Sequence, residues 1–183
     1  MATQNEKREV ILPRKAVLEL SRLLAESDER VEIEVYANQV KFRFGDIELT
    51  TKVIDGKFPD YTRVIPANYQ KHFKVDRTAL LQALQRAAIL SNEKFRGVRW
   101  MLTGNALRIS CTNNEQEEAQ EELEIAYAGD ALDVGFNITY LLDVLNNVES
   151  AEIDCAFGDA SSSMLITLPN RADYRYVVMP MRI

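Results

Sequence analysis

The sequence predicts an α+β fold in which one unit, a short strand followed by an amphipathic helix and then several strands, is stated three times. Three features point to it. Short runs rich in Val, Ile, Phe and Tyr alternate with polar residues at a period of two, as half-buried strands do. Three other stretches repeat apolar residues at helical spacing, and turn residues such as Gly45-Asp46 and Gly104-Asn105 punctuate the runs. Each unit spans about sixty residues, too few to cover both a helix stripe and a sheet face, so the units are expected to pack in pairs.

The first unit opens with a strand at 10–12, and Pro13 begins a helix at its favoured first position. Ala16, Val17, Leu20, Leu23 and Leu24 form its apolar stripe, and strands follow at 31–36, 40–44 and 47–54. The second unit has a strand at 73–75, Asp76 as helix N-cap, and a stripe of Leu80, Leu81, Leu84, Ala87 and Ala88. Its later strands fall at 97–102, 106–112 and 121–127. The third repeats the plan with a strand at 132–136, Asn137 as N-cap and a stripe of Tyr140, Leu141, Val144, Leu145 and Val148. Strands at 153–157, 164–168 and 174–179 close it. Two paired units make one complete domain at 71–183, while 1–66 is half of another, with Pro66-Ala67-Asn68-Tyr69-Gln70 as the linker. The chain therefore reads as starting inside a domain.

At 183 residues and net charge -6, simple whole-molecule attraction to nucleic acid is disfavoured, so any such role needs positive charge sorted onto one surface. Negative charge is localised in a run containing Glu115, Glu117, Glu118, Glu121, Glu122 and Glu124, which suits a solvated face or a basic partner. No apolar run is long enough to cross a bilayer, and MATQNEKREV lacks the apolar core of a signal peptide, so a cytoplasmic location is expected. Cys111 and Cys155, without a CxxC or histidine partner, read as buried small hydrophobes.

Opposite each stripe, at about 100° per residue, the first helix carries Arg14, Lys15 and Arg22 beside Glu19 and Glu26. The second carries Gln82, Gln85 and Arg86, and the third Thr139, Asn146 and Asn147 with Asp143. These groups suit loose phosphate contacts, but by themselves they read first as an ordinary solvated helix face. Ile89 and Leu90 fall outside the second stripe, consistent with a subunit contact or with a last turn tucked under a loop. No catalytic constellation is recognisable: His72, the single histidine, has no triad or metal-ligand spacing around it, and GxGxxG, GxxxxGK[ST] and HExxH are absent. No metal and no cofactor are expected.

Four segments, LPRK at 12–15, DGKFPDY at 55–61, AAILSNEKFRGVR at 87–99 and YVVMPMRI at 176–183, together resemble the beta subunit of bacterial DNA polymerase III, the sliding-clamp family. The likeness runs across the chain after about residue 9, in the family's order. It implies the DNA clamp fold, with helices on the inner face and antiparallel sheets outside. It also implies a non-catalytic processivity factor: a head-to-tail dimeric ring that encloses duplex DNA without reading its sequence. On that resemblance Arg14, Lys15, Arg22, Gln82, Arg86 and Asn147 face DNA. A pocket for short partner peptides from polymerase subunits, the clamp loader and repair proteins would be walled by Pro59, Arg63, Val64, Phe95, Asn137, Tyr140 and Ser163. Val177, Val178, Met179, Pro180, Met181 and Arg182 would complete it. Ile89, Leu90, Glu117 and Glu121 would form the subunit interface. The resemblance lacks the family's first domain and the first half of its second, so this chain by itself is not expected to close the usual two-subunit ring. Two alternatives are a protein-binding module without DNA tethering and an enzyme built on His72 or the glutamates.

Overall fold

The computed structural model describes residues 8–25, 28–58, 60–65, 69–92 and 94–183. Pro59 of the expected pocket, Glu26 of the first helix face, and Pro66, Ala67 and Asn68 of the expected linker lie outside the described residues. The chain divides into two compact units, Met1–Pro59 and Asp60–Ile183. Residues 60–65, placed with the first unit by the sequence expectation, thus count with the second.

In the smaller unit, α1 (Arg14–Leu24) packs on a sheet ordered β1 (Glu32–Val35), β2 (Gln39–Phe44), β3 (Ile47–Lys52). Pro13 stands just before the helix as its cap residue, and its carbonyl accepts the amides of Ala16 at 2.9 Å and Val17 at 3.2 Å. The buried core is small: Leu20 against Val40, Phe42 and Phe44, with Leu12, Leu23, Leu24 and Leu49 partly covered. The expected strand at 10–12 is reduced to one bridge, Ile11 with Ile54, because no longer ladder is available to it among the described residues. Val17, expected in the helix stripe, is instead 49% exposed.

The larger unit contains two copies of the motif. The first is β4 (Lys71–Asp76), α2 (Arg77–Ala88), β5 (Gly97–Thr103), β6 (Ala106–Thr112) and β7 (Glu118–Glu124). The second is β8 (Leu132–Asn137), α3 (Ile138–Asn146), β9 (Glu152–Phe157), β10 (Met164–Leu168) and β11 (Arg171–Val178). The sheet orders are β11-β10-β9-β4 and β7-β6-β5-β8, all antiparallel. Each motif's opening strand therefore leaves its own sheet and completes the other's, with Phe73 opposite Cys155 and Trp100 opposite Val134. This reciprocal exchange is the physical form of the expected pairing: neither motif has a four-stranded sheet alone.

Asp76 caps α2 by accepting the Ala79 amide at 2.7 Å, and Asn137 caps α3 by accepting the Thr139 amide at 2.9 Å, as the sequence indicates. Arg77, in the first turn of α2, donates to the Leu145 carbonyl at the end of α3 at 2.8 Å. The two helices therefore run antiparallel, and one long side chain satisfies a terminal carbonyl of its neighbour. Between helices and sheets lies a cluster of rings, Phe73, Trp100, Tyr127, Phe136 and Phe157, with centroids 5.5 to 6.5 Å apart. Ala83 and Ile138 are buried although outside the expected stripes, whereas Tyr140, expected in one, is 55% exposed. Burial pushes the Cys111 thiol up to about 11 and the Cys155 thiol higher still, so neither is poised as a nucleophile.

One strand is shifted from expectation. The run expected at 121–127 pairs with β6 over Glu118–Glu124, from Thr112 opposite Glu118 to Ala106 opposite Glu124. Glutamate is a poor strand residue, so propensity hid the start of this strand; the waiting edge of β6 supplies the partner. The hairpin turns at Asn113, whose side-chain oxygen accepts the amides of Glu115 at 2.9 Å and Glu117 at 3.0 Å.

Candidate functional site

Five of the residues nominated for a partner pocket line two clefts of the larger unit, Val64 and Val177 in one and Phe95, Met181 and Arg182 in the other. A single 3-10 turn, Tyr61–Arg63, builds the first. Asp60 caps it by accepting the Thr62 amide at 3.1 Å and the Thr62 hydroxyl at 2.6 Å, and Val64 N–H closes it on Tyr61 O at 3.1 Å. This fixes Val64 and Ile65 beside the outward side chains of β11, and a cleft of about 470 Å³ opens between them, lined by Tyr61, Val64, Ile65, Ala172, Asp173, Arg175 and Val177. The nominated Val64 and Val177 thus meet. Arg63 does not line this cleft; its largely exposed guanidinium stands 3.8 Å from Asp60. Tyr61, Asp173 and Arg175 were missed, although the period of two along a strand puts 173 and 175 on the same face as 177. The same alternation corrects Val178, which is 2% exposed and belongs to the core.

The second cleft, about 710 Å³, lies where the segment after β11 crosses the sheet of β5 and β8, and Phe95, Arg99, Asp133, Met181, Arg182 and Ile183 are among its walls. Phe95 is 60% exposed, with the Lys94 ammonium 5.4 Å from its ring centroid. Its backbone is held where Asn92 accepts the amides of Lys94 at 2.9 Å and Phe95 at 3.0 Å. Arg99 and Asp133 face each other across β5 and β8 in a two-point ion pair, at 2.8 Å from Nε to Oδ1, which holds the Asp133 carboxyl below its usual range. Met181 N–H donates to the Gly135 carbonyl at 2.8 Å.

The remaining pocket nominees lie nearby on the larger unit but outside both clefts. Asn137 spends its side-chain oxygen on capping α3. Tyr140 is exposed on the first turn of that helix, and its carbonyl accepts the Tyr176 hydroxyl at 3.4 Å. Ser163 precedes the Met164–Val178 pair and so stands across the strand end from Met179, which is 64% exposed. The adjoining loop is fastened by Asp159, whose carboxylate accepts the Ser161 hydroxyl at 2.7 Å and the Ser162 hydroxyl at 2.8 Å. Those bonds bring its pKa down to about 2.

On the helix faces Arg14, Lys15 and Gln82 are exposed. Arg22 is paired with Glu19, whose carboxyl its hydrogen bond holds below the usual range. Arg86, nominated to face DNA, makes a two-point ion pair with Glu121, nominated for a subunit interface, at 2.7 and 2.6 Å. The Arg86 hydrogen bonds lower the Glu121 carboxyl's pKa in return. Asn147 follows α3 and donates to the Asp143 carbonyl at 2.8 Å. Ile89, 80% exposed, and Leu90 stand at the end of α2, which the Arg86–Glu121 pair ties to β7, the strand at the edge of its sheet. Glu117, at the start of that edge, accepts the Asn113 side-chain amide at 2.7 Å. His72 lies exposed on β4 opposite Ala156, and among the described residues no three His, Cys, Asp or Glu side chains cluster as metal ligands do.

Residues 62–182 match the family model described as DNA polymerase III beta subunit, C-terminal domain, and residues 1–60 match the one described as its central domain. A beta sliding clamp of Pseudomonas putida is 44% identical over 98% of this chain and 49% of its own length. That of Escherichia coli K12 is 45% identical over 95% of this chain and 48% of its own. The chain therefore spans about half the length of the curated relatives it matches. A crystal structure of the DNA polymerase III subunit beta from Pseudomonas aeruginosa superposes with a TM-score of 0.93 at 44% identity, covering 98% of this chain and 49% of that one. Another from the same organism, a sliding clamp bound to griselimycin, gives 0.88 at 45% identity, over 95% and 47%.

Proposed function

The chain belongs to the bacterial DNA polymerase III beta-subunit family, and from that premise we propose that it acts as part of a non-catalytic processivity factor, docking short partner peptides and contributing to a ring that slides on duplex DNA. One observation carries the docking half: β11 ends in a buried Val178 and then releases an exposed Met179, and beyond Pro180 the chain reaches Met181 in the wall of a cleft. Adaptable thioethers beside a rigid proline suit the aliphatic anchors of an extended peptide, and Val64, Val177, Tyr140 and Ser163 would receive its remaining groups. Polymerase subunits, clamp loader and repair proteins are the partner class, in the cytoplasm.

The DNA half follows from the family. Topological enclosure makes strong phosphate contacts unnecessary, and exposed Arg14, Lys15 and Gln82 with Asn147 suit weak, salt-sensitive ones. Ile89, Leu90, Glu117 and Glu121 would meet a neighbouring subunit. A second reading, a peptide-docking module without DNA tethering, is favoured by the ion pairs: Glu19 on Arg22 and Glu121 on Arg86 oppose two of the charges offered to phosphate.

Titration with a labelled Gln-Leu-x-Leu-Phe type peptide tests docking. Deleting residues 179–183 should weaken binding at least tenfold while the Trp100 fluorescence of the folded unit persists; undiminished binding would refute the site. Retention on nicked circular DNA with release from linear DNA supports tethering, and equal release from both leaves the module reading.

A further inference from the structure

We infer that Gly135 is a positioning residue for the docking segment, a side-chain-free seat on which Ile183 rests so that the stretch carrying Met179, Pro180 and Met181 is held against the sheet; this rests on the docking reading above. Gly135 lies inside β8 and is not among the glycines with left-handed backbone, so conformation does not require glycine there. Space does. A Cβ built on Gly135 would stand 2.5 Å from Ile183 Cδ1 and 2.6 Å from the backbone oxygen of Met181. Real Cβ atoms do not approach that closely, and the Met181 oxygen is backbone, so the segment itself would have to move.

Little else fastens the segment. Beyond β11 its one backbone hydrogen bond to the sheet among the described residues is Met181 N–H to Gly135 O, at the same residue. Ile183 is 70% exposed yet rests its branched chain over Gly135 on β8 and Gly97 on β5. Gly97 provides the internal control, because a Cβ there would meet Ile183 at 3.7 Å, an ordinary contact. The two glycines thus touch the same side chain, and only one of them has no room.

Amide hydrogen exchange and peptide titration on Gly135→Ala and Gly97→Ala decide the matter, with Trp100 fluorescence reporting that the unit is folded. Gly135→Ala should speed exchange at the Met181 amide at least tenfold and weaken the peptide at least fivefold, while Gly97→Ala changes neither by more than twofold. Wild-type exchange in Gly135→Ala, or equal effects of the two substitutions, overturns the inference. Should Gly135→Ala unfold the protein, Ile183→Gly removes the seated side chain from a position that cannot disturb the core. It should still speed Met181 exchange severalfold, and no change would refute the seat. If the unmodified chain binds no peptide, the docking reading falls, whereas the exchange measurements still establish or reject the seat.

Discussion

The two units use the same motif and reach different degrees of closure. In Asp60–Ile183, two motifs exchange their opening strands, and the resulting core draws on both helices and all eight strands. In Met1–Pro59, among the described residues, a single motif gathers a core cluster of four buried side chains on a three-stranded sheet, and Val17, Leu18 and Ile33 are about half exposed. Among the described residues no strand lies on the outer edge of β1, the position that β8 takes beside β5. The motif is therefore a half-structure: its helix and sheet become fully apolar-covered only when another copy donates a strand.

The largest effects should come from breaking the closed unit. Trp100→Ala, at a fully buried ring, should cost about 3 to 5 kcal/mol in urea unfolding. Next comes the separation of the units. Phe42→Ala should lower the smaller unit's stability by about 3 kcal/mol. Because the protein's one tryptophan lies in the larger unit, its fluorescence transition should stay in place while the circular-dichroism transition shifts to lower urea. Coincident shifts would show that the units unfold together and end the contrast. Asp76→Ala removes the cap of α2 and should cost about 1 kcal/mol. Ile89→Ser, at an exposed helix end, should change stability by less than about 0.5 kcal/mol, and a larger loss would place Ile89 inside a contact of its own unit.

The smallest effect is a pH dependence. The Asp159 carboxyl has its pKa lowered from 3.8 to about 2 by the serine hydroxyls, so its contribution is complete above the unfolded value and is lost as pH falls through the folded one. Protection of the Ser161 and Ser162 amides, taken as the exchange rate relative to the intrinsic rate at each pH, should fall between about pH 4 and 2 and stay level above it; constant protection over that window would show the hydroxyl bonds to be incidental.

The repeat, the helix caps and most strands were legible in the chain, since caps, turns and periodicity are local signals. Asp76 and Asn137 announce α2 and α3 with one side chain each. The helix stripes were less complete. Val17 faces outward in a motif that has no exchanged strand among the described residues, and Ala83 is buried because α2 packs against α3 and the sheets, which no helical wheel contains. The docking residues divide in the same way. Val177, Phe95 and Met181 were named from segments that resemble the family, and Val64 from its place just beyond one, but their separation into two clefts, and the burial of Val178, came with the tertiary packing.

By itself the sequence determined the module: which residues turn, which cap, and which alternate, because each depends on neighbours within a few positions. Only the tertiary structure decided that opening strands are exchanged, that β7 begins within a glutamate run, that Arg86 is held by Glu121, and that Gly135 lies beneath Ile183. Apart from the β6–β7 hairpin, those relations join residues 30 to 86 positions apart, where pairing is chosen by the edges and spaces the rest of the fold leaves open.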